Sequence, residues 1–496
     1  MPSNQSPEHV DVLIMGAGLS GIGAACQLRT AHPQRSIAIL ESRAASGGTW
    51  DLFKYPGIRS DSDMFTFGYR WRPWPSDTSL ADGGLILDYV RTVAREYGVD
   101  RLIRYHHAVT RADWDSASSR WTVQFDVDGE SKSMTCQLLW GATGYYDYEQ
   151  GNSPHFPGQE EFGGQIVHPQ HWPEDLDYAG KKVVVIGSGA TAVTLVPSMA
   201  ATTEHITMLQ RTPTYILASP DRDPLAKLLS PLPHRMIYPV VRWKNVLLMV
   251  GSYQFARRFP DAMKKFVRKS AEKSLPDDVG FDEHFQPTYN PWDQRPCAIP
   301  NGDLFTSLRE GKASIVTDTI ERFDETGIVL TSGEHLEADI IVSATGLSMR
   351  MFGGIDFCVD GEKVDFSQRM AYKAMMLSDI PNFVFTMGYT NASWTLKADL
   401  VGEYAARLLA HMDQIGKTAV VPVRDASVGE RPFMDLTSGY IQRAMDDLPK
   451  QGDRAPWLLK QNYLTDVRTI RRGAIEDGVL QFSASTQLDQ PHGFDE

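Results

Sequence analysis

The chain has 496 residues, 42% hydrophobic and 22% charged, the balance of an ordinary globular protein with room for about three domains. Its formal net charge of −13 excludes a general nucleic-acid binder, which would carry a basic balance. Cys26, Cys136, Cys297 and Cys358 are scattered with no CxxC pair, which excludes a disulfide framework or a zinc ribbon and fits reduced thiols in a cytoplasmic protein.

The opening MPSNQSPEHVDVLIM runs into a strand without a basic or long apolar leader, so no signal peptide is expected, and no apolar run is long enough to span a membrane. DVLIM reads as a buried strand, GAGLSG as a turn and IGAACQL as a helix. Gly16, Gly18 and Gly21 therefore form GxGxxG between strand and helix. The first glycine makes the tight turn, the second admits a pyrophosphate, and the third lets the helix pack closely with its N-terminus towards the phosphates. Glu41 closes the next strand, IAILES, where a carboxylate accepts hydrogen bonds from a ribose. This site is expected to hold FAD.

TCQLLWGATGYY, residues 135–146, reads as a strand ending in a glycine turn. FGGQIVHPQHWPEDL, 162–176, is a connector broken by Pro and Gly that carries His168 and His171. The pair is a poor metal site, because no cysteine or carboxylate cluster accompanies it. A second strand–glycine–helix unit follows in KKVVVIGSGATAVTLVPSMA, with Gly187, Gly189, Thr191 and Ala192 in the loop. Its next strand, ITMLQ, ends in Gln210-Arg211-Thr212 with no acid. Arg211 pairs with a 2′-phosphate that a carboxylate would repel, so NADPH is expected over NADH. ADIIVSATGL, 338–347, repeats the strand-ATG form of the first unit. Residues 216–291 read as inserted helices. Arg235 to Lys273 contains ten Lys/Arg against two acids. Solvated helix faces are the first reading of that excess, with a membrane-surface or subunit contact as the alternative. Leu396, Leu400, Tyr404, Leu408 and Met412 then mark one packed face of a C-terminal helix.

Two dinucleotide sites in one chain imply a flavin reduced by a nicotinamide. Without a redox cysteine pair, oxygen or an organic acceptor is the partner of reduced flavin. The expected fold class is α/β, with two Rossmann-like dinucleotide-binding domains (FAD and NADP) and a helical insertion in the NADP domain. The boundaries read as 1–146 and 381–496 for the FAD domain, 147–215 and 292–380 for the NADP domain, and 216–291 for the insertion.

GGTWDLFKYPGIRSD, containing Gly48, Trp50 and Asp61, together with Phe162-x-Gly164-x-x-x-His168-x-x-x-Trp172-Pro173, closely resembles the motifs of type I Baeyer–Villiger monooxygenases. YPGIRSDSDMFT, HPQHWPEDLDY, YNPWDQR and GYTNASWTLKADLV look most like the ethionamide-monooxygenase subgroup. The resemblance spans essentially the whole chain. It implies an FAD- and NADPH-dependent monooxygenase that oxygenates ketones to esters or lactones and oxidises sulfides or thioamides through a C4a-(hydro)peroxyflavin. Small hydrophobic substrates and molecular oxygen are the implied partners, and the oligomeric state is open. The family's catalytic arginine falls on Arg295 and its aspartate on Asp61. Gln294 stands where a lysine often helps bind NADP phosphate, leaving more of that recognition to Arg211 and Thr212. Trp457 matches the tryptophan near the nicotinamide ribose. Asn391 and the helix after it are expected to face the flavin pyrimidine. Phe162, Gly164, His168 and Trp172 form the domain-linker motif. The alternatives are a flavin-containing N- or S-oxygenase without Baeyer–Villiger activity, and a flavin-bearing redox-sensing or interaction protein.

Overall fold

A computed structural model describes residues 7–485. The first strand, Glu8–Met15, lies parallel to Ile37–Leu40 on one side and to Glu130–Gly141 on the other. It is an interior strand, third from one edge, of a nine-stranded sheet, with its inner residues buried. Such a strand reads as an unbroken apolar run because both faces are covered, here by helix Leu19–Ala31 on one. The second unit repeats this plan. Lys182–Ile186 runs parallel between His205–Gln210 and Ile340–Ser343 in a five-stranded sheet whose pairings are all parallel.

The echo of the two ATG turns has a geometric basis. Gly16 N–H donates to Leu40 O at 2.8 Å, and Gly187 N–H donates to Leu209 O at 2.8 Å. A Cβ on Gly16 would lie 2.7 Å from Ala142 O, and one on Gly187 would lie 2.4 Å from Ala344 O. In both units the ATG carbonyl closes on the first loop glycine, whose positive φ only glycine adopts freely.

One expected junction falls elsewhere by the strand pairings. Asp356–Val359 pairs with Ala108–Asp115, and Phe383–Phe385 pairs with Glu130–Gly141, all within the first sheet. The chain thus returns to the first domain near residue 350, not at 381. Phe357 and Phe383 both pack against Trp121, so contacts distant in sequence, not local periodicity, choose the sheet these segments join. The insertion, placed in sequence within the second domain, packs on both domains. Its long helix, His234–Arg258, packs Ile237, Tyr238, Val241 and Val246 into the core of the first domain. The next helix, Pro260–Glu272, sends Ala271 into the core of the second. The insert straddles both domains instead of belonging to one.

Candidate active site

The two glycine loops open onto one cleft of about 1030 Å³ between the domains. Gly18 caps helix Leu19–Ala31 at φ −79°, ψ −174°, and Gly189 caps helix Ala190–Met199 at φ −80°, ψ −175°. Neither helix has a side-chain cap or an acid in its first turn. The first-turn N–H groups of both are therefore left to bind an anion, with the helix dipole behind them. Nothing lies within 4 Å of a Cβ built on Gly189, and Gly18 faces Gly48, whose added Cβ would come 3.0 Å from Gly18 Cα. Two bare glycine backbones thus form the floor of the first loop. Gly16, Gly21 and Ala192 pack beneath the loops; a Cβ on Gly21 would meet Gly16 O at 2.0 Å. Glu41 is buried under the first loop and accepts Ala17 N–H at 2.8 Å and Arg43 N–H at 3.0 Å. A carboxylate has about four acceptor sites, so two remain.

Gly48, Trp50, Asp61, Gly187, Thr191, Arg211, Thr212 and Arg295 all line the same cleft. Arg211 is exposed at the end of its strand, and no carboxylate among the described residues pairs with it. Ser188 Oγ donates to Thr212 O at 3.0 Å, which ties that strand end to the second loop.

Arg295 donates from Nη2 to Asp61 Oδ1 at 3.0 Å and to Ser62 Oγ at 3.1 Å. Its side chain lies deep in the cleft yet keeps 36% of its surface open to it. Burial works against its charge. Asp61, Tyr145, Tyr440 and Tyr146 together outweigh that, though none does so singly, and the guanidinium titrates above its ordinary value. Both bonds use one end of the fork, which leaves the Nη1 and Nε donors for a charge in the cleft.

Around Arg295 stands an aromatic wall that the motifs did not reveal. Tyr145 and Tyr146 share a hydroxyl–hydroxyl hydrogen bond of 2.8 Å, and Tyr145 stacks on Trp394 at 5.3 Å. Trp394 Nε1 donates to Ser20 Oγ at 2.7 Å, anchoring the wall to the first loop's helix. Burial pushes the phenols of Tyr145, Tyr146 and Tyr440 above their ordinary values, which keeps them neutral. The sequence signal was the YY directly after the first ATG turn. Cys297 also lines the cleft, and burial pushes its thiol up to about 12, so it is no thiolate nucleophile.

Other expected residues stand elsewhere. Trp457 is only 2% exposed and packs edge-on against Tyr372 at 5.8 Å, in the core of the first domain. Asn391 is buried outside the cleft lining and donates to Gln461 O at 2.8 Å. The helix after it starts at Trp394, whose ring, not Asn391, reaches the cleft.

The linker motif lies away from the cleft, where the chain passes between domains. The outgoing strand Tyr146–Gly151 pairs antiparallel with the returning Leu347–Met349. Asn152 Nδ2 donates to Thr345 O at 3.0 Å, and Thr345 Oγ1 donates to Asn152 O at 2.6 Å. The motif grips this crossing. Gln170 Nε2 donates to Asp147 O at 2.8 Å, and His171 Nε2 lies 3.0 Å from Glu149 O. His168 fills the space over Gly151, where an added Cβ would fall 1.9 Å from its ring. Burial holds the His168 imidazole below its ordinary value, and neighbouring backbone groups oppose that only in part. Phe162 and Trp172 pack on Phe323 and Tyr178 within the second domain, and Gly164 fits under Phe162 against Asp339 O.

The GGTWDLFKYPGIRSD motif bridges the cleft. Trp50 packs on Phe67 of the first domain, while Tyr55 packs on the core of the second. A Cβ on Gly57 would fall 1.8 Å from Ser198 Oγ on helix Ala190–Met199. A second cavity of about 330 Å³, lined by Tyr253, Gln254 and Arg257 of the insert, shares Thr390 and Leu436 with the main cleft.

The sequence pattern of an NAD(P)-binding Rossmann-like domain matches residues 14–76, and that of a flavin-binding monooxygenase-like family matches residues 78–386. FAD-containing monooxygenase EthA of Mycobacterium tuberculosis (strain ATCC 25618 / H37Rv) is 56% identical over 479 residues, covering 96% of this chain and 98% of that protein. Probable FAD-binding monooxygenase AlmA of Acinetobacter baylyi is 48% identical over 485 residues, 97% of each chain. Cyclohexanone monooxygenase from Rhodococcus sp. Phi1, solved bound to NADP+, is 20% identical with a TM-score of 0.75, covering 97% of this chain and 100% of that one, a likeness of fold. With a family pattern across more than half its length and relatives this similar end to end, the chain belongs to the flavin-binding monooxygenase-like family.

Proposed function

We propose that this protein is an FAD-dependent, NADPH-consuming monooxygenase that places one atom of dioxygen into ketones, giving esters or lactones, and into sulfides or thioamides. The observation that carries the reading is Arg295. It is a permanent cation with free donors in the cleft between the two loops, and an aspartate from the opposite domain orients it.

The residues fit both dinucleotides. The uncapped helix ends behind Gly18 and Gly189 suit pyrophosphates, and Glu41 keeps acceptor capacity for a ribose. Arg211 and Thr212 suit a 2′-phosphate. Bound at the first loop, flavin would supply the reduction of dioxygen and the oxygen-transfer chemistry. Arg295 holds negative charge as it develops on oxygen, first beside the cofactor and then on the attacked carbonyl. Asp61 and Ser62 fix the guanidinium plane. Neutral Tyr145, Tyr146 and Trp394 wall the site and exclude water, which strengthens that electrostatic hold. Asn391 and Trp457 take no part in this scheme.

The test is aerobic NADPH consumption by the flavin-loaded protein over a panel of ketones and thioethers, with products identified. Esters or lactones are expected from ketones. Arg295→Ala is expected to lower their rate of formation by about 10²–10³, the usual loss for one preorganised donor. Undiminished ester formation in that variant would remove Arg295 from its role. Sulfoxides without any ester or lactone would make the protein a flavin-containing N- or S-oxygenase instead.

A further inference from the structure

The large apolar side chains that this fold leaves exposed are concentrated. Of fourteen among the described residues, ten lie between Leu228 and Phe266, on the insert. Exposed apolar residues scattered singly are ordinary, whereas a contiguous group marks a surface with a partner. Met236, Val240, Trp243 and Leu247 follow at intervals of four, three and four, one stripe of helix His234–Arg258. Leu248, 62% exposed, widens that stripe. The opposite side of the helix is occupied, since Tyr238, Arg242 and Val246 are buried against the first domain.

Charge selects the partner. In a chain of net charge −13, the stretch from Arg235 to Lys273 has ten Lys/Arg against Asp261 and Glu272. Arg258 stands three helical turns after Leu247, on the apolar stripe. Lys265, Lys269 and Lys273 follow at intervals of four on the next helix and its cap. These four cations pair with no carboxylate among the described residues. A second copy docked face to face would set the same cations against one another. An anionic lipid surface supplies both complements, phosphates for the cations and an acyl boundary for the stripe. Among the described residues no helix is long and apolar enough to cross a membrane, so the proposed contact lies in the plane of the surface.

We propose that the insert docks this protein on an anionic bilayer surface, with the Met236–Leu248 stripe at the headgroup–acyl boundary and Arg258, Lys265 and Lys269 against lipid phosphates. Tyr253 and Gln254 of the same helix line the second cavity, so the docked face adjoins the space that shares Thr390 and Leu436 with the cleft. The docking itself does not depend on the reaction proposed above.

The full-length protein is to be sedimented with mixed phosphatidylglycerol–phosphatidylcholine vesicles and with pure phosphatidylcholine vesicles, at low and high salt. Binding to the mixed vesicles is expected, weaker by about tenfold or more on pure phosphatidylcholine and lowered by salt. Lys265→Glu with Lys269→Glu, and separately Leu247→Ser with Leu248→Ser, are each expected to lower partitioning by about tenfold. Thermal melts are to check that both variants remain folded, and a variant that unfolds is replaced by Arg258→Glu. Absence of binding to mixed vesicles at low salt overturns the proposal, as does binding that folded variants leave intact. A concentration-dependent dimer broken by the Leu247/Leu248 variant, with no vesicle binding, would make this face an interface between copies instead.

Discussion

Arg211 and Arg295 stand in one cleft, and the difference between their surroundings matches the difference between the tasks proposed for them. Arg295 is tied to Asp61 and walled by tyrosines, so its position is fixed before any ligand arrives. Arg211 is exposed and unpaired at a strand end, free to meet a phosphate. Its charge-assisted bonds to a 2′-phosphate would contribute about 1.5–3 kcal/mol. Arg211→Ala is therefore expected to raise the KM for NADPH by about 10- to 100-fold and leave the KM for NADH nearly unchanged, as steady-state kinetics with both nucleotides would show. An equal rise for both would place the 2′-phosphate elsewhere. At this scale the sequence is most legible where backbone geometry dictates the residue. Gly16 and Gly187 are needed because an ATG carbonyl closes on each. It is least legible for aromatic residues, because Trp394 in the cleft and Trp457 in the core differ only in neighbours that come from other elements.

At the scale of elements, the central strands of both nucleotide units are apolar runs buried on both faces, and the helices that follow the glycine loops are buried on most sides. The insert shows what such patterns leave out. Its length and basic composition are plain in the sequence, but the docking of its long helix also uses one buried polar contact. Arg242 is 4% exposed and donates to Phe65 O at 2.7 Å, Thr66 O at 3.2 Å and Gly68 O at 2.8 Å. Asp399 lies 3.5 Å away. Three carbonyls from a turn and one carboxylate from the C-terminal helix thus converge on a cation whose residue type in sequence suggests the surface. Arg242→Leu leaves those carbonyls and Asp399 without it, and a loss of about 3–5 kcal/mol in stability is expected. Burial already pushes the Asp399 carboxyl up to about 6. Its folded value exceeds the unfolded one, so the protonated form is favoured in the fold and stability declines as pH rises through that range. Removing Arg242 raises the folded value further, so the deficit of the variant should open as pH rises above about 6. Urea unfolding of both proteins below and above that pH measures it. An unchanged midpoint at both would show that the cation is dispensable for docking the helix.

For the molecule as a whole, the cleft exists only because two domains meet, and ion pairs and a close glycine contact are among the contacts that join them. Asp61 and Arg295 are 234 residues apart in sequence and come from opposite sides of the cleft. Arg59 and Asp303, 244 residues apart, make a second bridge of 2.5 Å between the same sides. Pairings at such separations leave no trace in periodicity or motif spacing, which is why the sequence delivers both nucleotide sites but not the arrangement that turns them towards each other. The linkers at Asn152 and Thr345, with His168 seated on Gly151, form the crossing about which the second domain would turn. If the cleft must close to bring Arg295 to its charge and keep water out, the Arg59–Asp303 bridge stabilises the closed arrangement without touching the chemistry. A partly exposed pair of this kind contributes up to about 1 kcal/mol, roughly fivefold in the ratio of closed to open forms. Asp303→Asn is thus expected to leave the rate of NADPH oxidation within about twofold while several-fold more of the consumed NADPH appears as hydrogen peroxide instead of product. Parallel assays of NADPH, peroxide and ester with a well-turned-over ketone decide it. Unchanged coupling would mean that Gly57 against Ser198 and the Asp61–Arg295 pair hold the closed form by themselves, and a fall in NADPH oxidation without added peroxide would mean that the bridge positions the nicotinamide site instead.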